Sequence, residues 1–187
     1  MHNIKREPGA GNCLYLMPVT LVGANVNGKP NFITIAHVGI MDFSHLCVSM
    51  GKIHYTNAGI KEAGTFSVNI PSTSLVKETD YCGLISGRKA DKGALFNTFY
   101  GKLKSAPMIK ECPVNMECRL VNTVDMPIHD VFIGEISDSY CNEECLVEGS
   151  VDLAKVDPIV FAMYDPYYFK PGDRFAKTWN IGKELKG

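Results

Sequence analysis

Apolar and polar residues alternate along several short stretches of the chain, a period typical of strands with one buried face. Residues 114–121 (VNMECRLV) alternate without exception. The apolar members of this stretch are predicted to face a core: Val114, Met116, Cys118 and Leu120. The polar members are predicted to face solvent: Asn115, Glu117 and Arg119. This stretch is the clearest strand in the sequence.

Further segments have the composition and length of strands, and turn residues separate them. They are residues 17–24, 31–38, 46–50, 65–70, 128–140 and 156–164. Asn27-Gly28, between the first two, predicts a tight hairpin because both residues tolerate positive φ. About six mostly antiparallel strands and two or three short helices predict one mainly β domain over residues 1–187, closed into a barrel.

Two short helices are predicted, at residues 57–63 and 72–83. Thr56 stands where an N-cap hydroxyl belongs, and Gly64 follows the first helix as a C-terminal stop. Residues 95–109 show neither the helical nor the strand period of apolar residues, so irregular structure is expected there.

The stretch from residue 46 to residue 72 combines a strand, a small loop and a helix N-terminus. Gly51 and Lys52 lie in the loop, and the free N–H groups and dipole of the helix favour an anion beside the Lys52 ammonium. A second glycine-rich loop, at residues 85–94, contains Arg88, Lys89 and Lys92. The sequence therefore indicates a phosphate-type site, with an ordinary strand–helix connection and solvated lysines as the alternative.

Composition narrows the class of protein. The chain has 187 residues, of which 45% are hydrophobic and 21% charged, as in an ordinary globular domain. Its net charge of -1 and pI near 6.5 argue against a nucleic-acid or acidic-membrane partner. No apolar run approaches the roughly 18–20 residues of a membrane span, so no membrane partner is expected.

Cysteine usage and the N-terminal stretch bear on the compartment. Seven scattered cysteines, with no C-x2-C pair, fit neither a disulfide framework nor a metal site, and they suit a reducing cytosol. Lys5 and Arg6 before the apolar residues 13–24 superficially resemble a signal peptide. Glu7 and Pro8 weaken that interpretation. We expect a cytoplasmic protein without a metal.

Six segments carry a family resemblance. They are NFITIA (31–36), HYT (54–56), FSVNIP (66–71), DYCGLISGRKADK (80–92), APMIKECPVNMEC (106–118) and FIGE (132–135). In this order and spacing, over roughly residues 13 to 183, the chain resembles the flavin reductase-like, FMN-binding split-barrel family. The resemblance implies a six-stranded antiparallel split barrel with a few short helices, a homodimer, and FMN at the subunit interface.

The resemblance also implies a set of FMN-binding residues. The loop from Met50 to Thr56 matches the family's phosphate-binding segment, with Lys52 and the Thr56 hydroxyl as anchors. The 31–36 strand would run along the flavin edge and offer backbone N–H groups to the ring. The full set of candidates is Asn31, Thr34, Ile35, Ala36, Ser49, Met50, Gly51, Lys52, Tyr55, Thr56, Ser86, Gly87, Arg88, Lys89, Lys92 and Tyr168.

Aromatic and imidazole positions leave alternatives open. Tyr167, Tyr168 and Phe169 would either cap the flavin or pack a dimer. His129 matches a family position and would steer a nicotinamide or a flavin proton, unless it is a plain surface residue. His37 stands where close relatives tend to have tryptophan, a departure that weakens the expectation of ring stacking there.

The sequence shows no nucleophile–base pair, as expected if a cofactor carries the chemistry. The leading prediction is an FMN-binding oxidoreductase that moves electrons between NAD(P)H, or a redox protein, and FMN. No GxGxxG dinucleotide fingerprint is present, so NAD(P)H would bind transiently over the flavin. The alternative is a non-catalytic FMN-binding or redox-sensing protein. A transferase or lyase acting on a small phosphorylated ligand would need a base that the sequence does not show.

Overall fold

The structure is a computed structural model that describes residues 5–6, 9–10, 12–14 and 16–185. The strands are β1 (Lys5–Arg6), β2 (Gly9–Ala10), β3 (Met17–Pro18), β4 (Thr20–Val26), β5 (Lys29–Ile35), β6 (Val38–Ile40), β7 (His45–Gly51), β8 (Thr65–Ile70), β9 (Thr98–Tyr100), β10 (Pro107–Ile109), β11 (Val114–Asp125), β12 (His129–Cys141), β13 (Leu146–Val147), β14 (Ser150–Val151), β15 (Val160–Phe161) and β16 (Tyr168–Phe169). The α-helices are α1 (Thr56–Ala63), α2 (Val76–Leu84) and α3 (Leu153–Val156). Short 3-10 helices cover Thr73–Leu75, Gly93–Leu95, Glu143–Cys145 and Ile181–Leu185. Among the described residues, no helix has the length and apolar character needed to cross a membrane.

One antiparallel sheet forms the body of the protein, in the order β5-β4-β8-β11-β12-β7-β6. β5 and β6 lie at opposite edges of this sheet, yet only Ala36 and His37 separate them along the chain. A two-residue link spans at most about 11 Å, so the sheet has to curl until its edges approach each other. β5 and β6 thus act as one interrupted strand of a six-stranded antiparallel barrel, and the predicted mainly β fold is confirmed.

Apolar clusters fill the barrel and cover part of its outside. Met50, Phe66 and Phe132 are fully buried in the interior cluster. A second cluster, which includes Leu21 and Phe32, packs β4 and β5 against α2 and the segment 93–112. β4 is therefore buried on both faces, which explains why its sequence (TLVGANV) is almost continuously apolar.

The alternation in β11 predicts the apolar face correctly and the polar face only in part. Cys118 is fully buried in the barrel interior, as predicted. The prediction that Asn115 and Glu117 face solvent is wrong, because they are only 3% and 0% exposed. Their side chains lie beneath the hairpin that β9 and β10 form over this part of the sheet. Arg119, beyond the hairpin, is exposed as predicted.

Glu117 holds the hairpin to the barrel. Its carboxylate accepts hydrogen bonds from the backbone N–H groups of Lys102 (2.7 Å) and Leu103 (2.8 Å) and from the Tyr140 hydroxyl (2.9 Å). A fully buried carboxylate is tolerated because these donors replace the water that it loses.

Three segment predictions differ from the structure. Residues 95–109, expected to be irregular, contain β9 and β10, which pair with each other. The strand expected at residues 156–164 is reduced to β15, because Asp157 adopts a left-handed φ of 47° and Pro158 follows it. The helix expected at residues 72–83 begins as the 3-10 turn Thr73–Leu75 and continues as α2.

The predicted N-cap of α1 is wrong, whereas the predicted hairpin turn between β4 and β5 is confirmed. Thr56 is not the N-cap of α1: Tyr55 occupies that position, and the buried Thr56 hydroxyl accepts a hydrogen bond from Asn31 Nδ2 at 2.7 Å. The hairpin at Asn27-Gly28 is confirmed, with φ values of 51° and 73°.

We expect Glu117→Ala to lower the free energy of unfolding by roughly 3–5 kcal/mol, because three donors beneath the hairpin lose their acceptor. Urea denaturation measures this loss. Tyr140→Phe is the matched control: it removes one of these bonds and should cost about 1 kcal/mol. Similar small losses in both variants would contradict the role given to Glu117.

Candidate functional site

The barrel is open along one edge of β5. In the described part of the chain β5 pairs with β4, and no ladder joins its other edge to β7. A cleft of about 280 Å³ lies in this gap, and we call it the split cleft. Its lining residues are Val19, Thr34, Ile35, Ala36, His37, Ser49, Gly51, His54, His129, Phe161 and Tyr168. Backbone groups on an unpaired strand edge are available to bond a ligand.

A second cleft, of about 460 Å³, continues along β5 towards its N-terminal end. It is lined by Val26, Asn27, Lys29, Pro30, Asn31, Tyr55, Gly87, Arg88, Lys89, Ala90, Asp91 and Lys92. We call it the cationic cleft, because four of these side chains are basic and only Asp91 is acidic. Both clefts lie along β5, the cationic cleft at its N-terminal part and the split cleft at its C-terminal part, and we refer to the two together as the slot.

Lys92 is the most unusual side chain of the cationic cleft. It is only 2% exposed, and its Nζ donates to the Cys82 carbonyl at 2.9 Å. Burial lowers the pKa of the Lys92 ammonium. An ammonium carries three N–H donors, and this carbonyl is the one hydrogen-bond acceptor that the described residues supply to it. An anion in the cleft would give the remaining donors a partner.

The loop that carries the cations is fixed against the loop before α1. A side chain at Gly87 would collide with Asn31 Oδ1 and the Tyr55 ring, so only glycine permits this approach. The Arg88 guanidinium lies over the Tyr55 ring, 5.3 Å from its centroid, and donates to the Ile53 carbonyl at 3.2 Å. Both contacts hold the basic residues at the mouth of the cleft.

The structure brings most of the predicted site residues to the two clefts. The split cleft contains Thr34, Ile35, Ala36, Ser49, Gly51, His129 and Tyr168, and the cationic cleft contains Asn31, Tyr55, Gly87, Arg88, Lys89 and Lys92.

Four predicted site residues line neither cleft. Met50 points into the barrel interior, and Thr56 is buried against Asn31. Ser86 is exposed, and its Oγ accepts the Arg88 N–H at 3.3 Å. Lys52, on which the sequence centred the anion site, pairs with the Asp125 carboxylate. Lys92, which the sequence also predicted as an anchor, lines the cationic cleft.

Three imidazoles line the split cleft, two of which the set of predicted ligands did not include. The rings of His37 and His129 lie 5.9 Å apart, centroid to centroid. Burial, and then the nearby His129, lower the pKa of His37. Burial, the Lys92 charge and His129 lower the pKa of His54. His54 belongs to the HYT motif, which was the sequence signal that pointed to it.

Tyr168 closes one side of the split cleft. Its hydroxyl donates to Asp80 Oδ1 at 2.7 Å, which ties β16 to α2. Burial and this carboxylate raise the pKa of Tyr168 to about 12, so the phenol is neutral under ordinary conditions.

The buried thiols are not reactive groups. Within the described residues, no set of three His, Cys, Asp or Glu side chains could hold a metal. Cys82, Cys112 and Cys118 are buried, and burial raises the pKa of Cys82 to about 11 and that of Cys118 to about 12. It also raises the pKa of Cys112. Thiols of this kind are unreactive at neutral pH.

The fold and the two clefts define a split-barrel protein with a ligand slot that is cationic at one end. A sequence model described as "Flavin reductase like domain" matches residues 13–164, and the chain belongs to this family. The family predicted from the six sequence segments is thereby confirmed. Membership supports a flavin cofactor and a flavin-related oxidoreductase role.

Solved structures agree with this assignment. The chain is 46% identical to flavoredoxin from Methanosarcina acetivorans, with a TM-score of 0.92 over 97% of this chain and 98% of that one. It is 35% identical to flavoredoxin of Desulfovibrio vulgaris (Miyazaki F), with a TM-score of 0.87 over 95% of this chain and 99% of that one. A protein of Archaeoglobus fulgidus without an assigned activity is 37% identical over 127 residues, which are 66% of this chain and 71% of the relative.

Proposed function

We propose that the protein is an FMN-dependent oxidoreductase that moves electrons between FMN and either NAD(P)H or a redox protein. The observation that carries this proposal is Lys92, a buried ammonium on the wall of the cationic cleft with one carbonyl as its acceptor among the described residues. A dianionic phosphate is the kind of group that such a donor requires. Two solved relatives with 35% identity or more are flavoredoxins.

The residues of the slot fit FMN in both chemistry and order. Lys92, with Arg88 and Lys89, would hold the phosphate in the cationic cleft. The ring would lie in the split cleft against Thr34 and Ala36, where a small side chain allows close approach to the backbone. FMN is favoured over FAD because its phosphate is terminal, whereas the adenylate half of FAD would have to leave the cleft.

The chain itself would bind, orient and shield the ring. The Thr34 hydroxyl donates to the Thr79 carbonyl, which fixes the ligand-facing strand against α2. Tyr168 restricts access from the side of the tail. A bound flavin would supply the capacity to accept and release electrons, as in other flavin enzymes. The burial of Cys82, Cys112 and Cys118 makes these three thiols poor candidates for the alternative role of a redox sensor.

We expect the purified protein to be yellow and to contain about one FMN per chain. Addition of NADH or NADPH without oxygen should bleach the visible flavin bands if a nicotinamide is the donor. If only a reduced protein carrier bleaches them, the flavin is an electron-transfer centre. A colourless protein that takes up no FMN on titration would overturn the proposed function.

Lys92→Met should weaken FMN binding by about 10- to 100-fold, because a charge-assisted contact contributes roughly 1.5–3 kcal/mol. Methionine keeps much of the buried side-chain volume, which limits damage to the loop. Riboflavin lacks the phosphate, so its dissociation constant should hardly change. Titration of the flavin-free protein, followed by flavin fluorescence, measures both constants.

Lys52→Ala is the control for this experiment, because Lys52 pairs with Asp125 and lines neither cleft. It should leave both constants unchanged. A selective loss of FMN affinity in Lys52→Ala would restore the sequence-based anchor, and equal losses for both ligands in Lys92→Met would remove the phosphate assignment.

We also propose that the protein works as a homodimer. A third cleft, of about 890 Å³, is lined mainly by apolar side chains and includes β6, which directly follows Ala36 and His37 of the split cleft. Ile40 and Phe43 at its rim are almost completely exposed. A second copy that covered this surface would add cover near the split cleft, whose volume of about 280 Å³ is small for a ligand pocket.

Phe43→Ser should weaken the dimer at least about tenfold, because exposed aromatic residues are frequent interface anchors. Sedimentation velocity over a concentration series measures the association constant. Leu153→Ser, at an exposed apolar residue of α3 that does not line the third cleft, is the control. A wild-type protein that sediments as a monomer while retaining FMN would contradict the proposal.

A further inference from the structure

Three imidazoles from distant parts of the chain meet at the split cleft. His37 follows β5, His54 precedes α1, and His129 begins β12. All three line the same cleft, and His129 is close enough to the other two to affect their pKa values. The described residues contain no three-ligand metal group, so metal binding does not explain the cluster.

The charges around the cluster leave it without an anionic partner. No carboxylate is among the residues that line the split cleft. Asp130, next to His129, is buried and accepts instead from Lys61 at 2.7 Å and Asn57 at 3.4 Å. On the tail side, the Asp80 carboxylate accepts from the Tyr168 hydroxyl.

The two lysines near the cluster provide no negative charge that would favour protonation of the imidazoles. Lys52, which follows β7, is paired with Asp125 at the end of β11. Lys92 faces His54 from the cationic cleft and opposes its protonation.

Imidazoles in such a place respond to negative charge. Burial and neighbouring positive charge lower the pKa of His37 and of His54, so both rings are neutral at neutral pH. An opposite charge within about 4–6 Å favours the protonated form and shifts the pKa in the other direction. A ligand that becomes negative in the split cleft would therefore drive proton uptake by the cluster.

We propose that His37, His54 and His129 form a proton-accepting cluster that takes up one proton when a flavin bound in the split cleft is reduced by two electrons. This inference rests on the proposed function. The reductant supplies two electrons, one proton from solvent binds the flavin ring, and the reduced ring retains a negative charge at neutral pH. The cluster binds a second solvent proton on an unprotonated ring nitrogen of one imidazole and releases it when the electrons leave.

The proton count is measured from the pH dependence of the midpoint potential of the bound flavin. Between about pH 7 and 8, the wild-type protein should take up about two protons for every two electrons. The triple variant His37→Gln, His54→Gln, His129→Gln should take up about one, because only the ring is then protonated. His45→Gln is the control for loss of an imidazole outside the split cleft, since His45 pairs with Asp42 and lines the third cleft, and sedimentation checks that the variant keeps the oligomeric state of the wild type.

A second measurement needs no cofactor. NMR titration of the flavin-free protein should give pKa values for His37 and His54 below the ordinary value of 6.5. Lys92→Met should raise the pKa of His54 and leave that of His37 nearly unchanged, because the Lys92 charge lowers the pKa of His54 and not that of His37. Ordinary, unperturbed titration of both imidazoles would overturn the electrostatic basis of the cluster.

The two proposals fail in different ways. If the protein binds FMN and is reduced normally, but the proton count is one or does not change in the triple variant, the cluster is overturned and the proposed function stands. If the protein takes up no FMN, the proposed function fails and the inference fails with it, whatever the imidazoles do in the flavin-free titration.

Discussion

Closure of a barrel requires each strand to pair on both sides, and this chain departs from that rule at Ala36 and His37. The strand leaves its ladder with β4 there and resumes as β6 beside β7, at the opposite edge of the curled sheet. The Ala36 and His37 carbonyls accept the Val38 and Ser49 N–H groups, whereas a backbone group without a partner along the open edge of β5 would cost about 1–3 kcal/mol unless water or a ligand satisfied it. The interruption therefore places a polar strand edge beside an apolar core. The loops that carry His54 and Lys92 and the tail strand β16 all border this slot.

The same constraint explains why a lysine is buried nearby. Removal of an ammonium from water costs several kcal/mol, and a single carbonyl bond returns only part of that cost. The loop can hold Lys92 in this position because glycine at residue 87 lets it approach Asn31 and Tyr55, while Arg88 binds the Ile53 carbonyl. Local contacts thus keep the ammonium in an unfavourable place, a condition common at ligand-binding sites.

Patterns of residues predicted the fold, whereas the environment of each predicted anchor depends on contacts that the patterns do not contain. Periodicity identified β11, and six short segments in the right order identified the family. The alternation wrongly predicted that Glu117 faces solvent, because a hairpin from another part of the chain covers that face of the sheet. An alternating pattern indicates only that one face of a strand is apolar and does not show whether the polar face is also covered. The sequence named both Lys52 and Lys92 as phosphate anchors, but which lysine is paired and which is buried depends on contacts with residues far along the chain.

The two ends of the slot are not electrically independent. The charge of Lys92 lowers the pKa of His54, although one lies in the cationic cleft and the other in the split cleft. An anion bound to Lys92 would neutralise that charge and bring the pKa of His54 closer to its ordinary value. Occupation of the phosphate end would therefore change the proton affinity of the ring end before any electron arrives. A ligand without a phosphate would leave the Lys92 charge in place. An identical flavin ring in the split cleft would then have a different electrostatic environment.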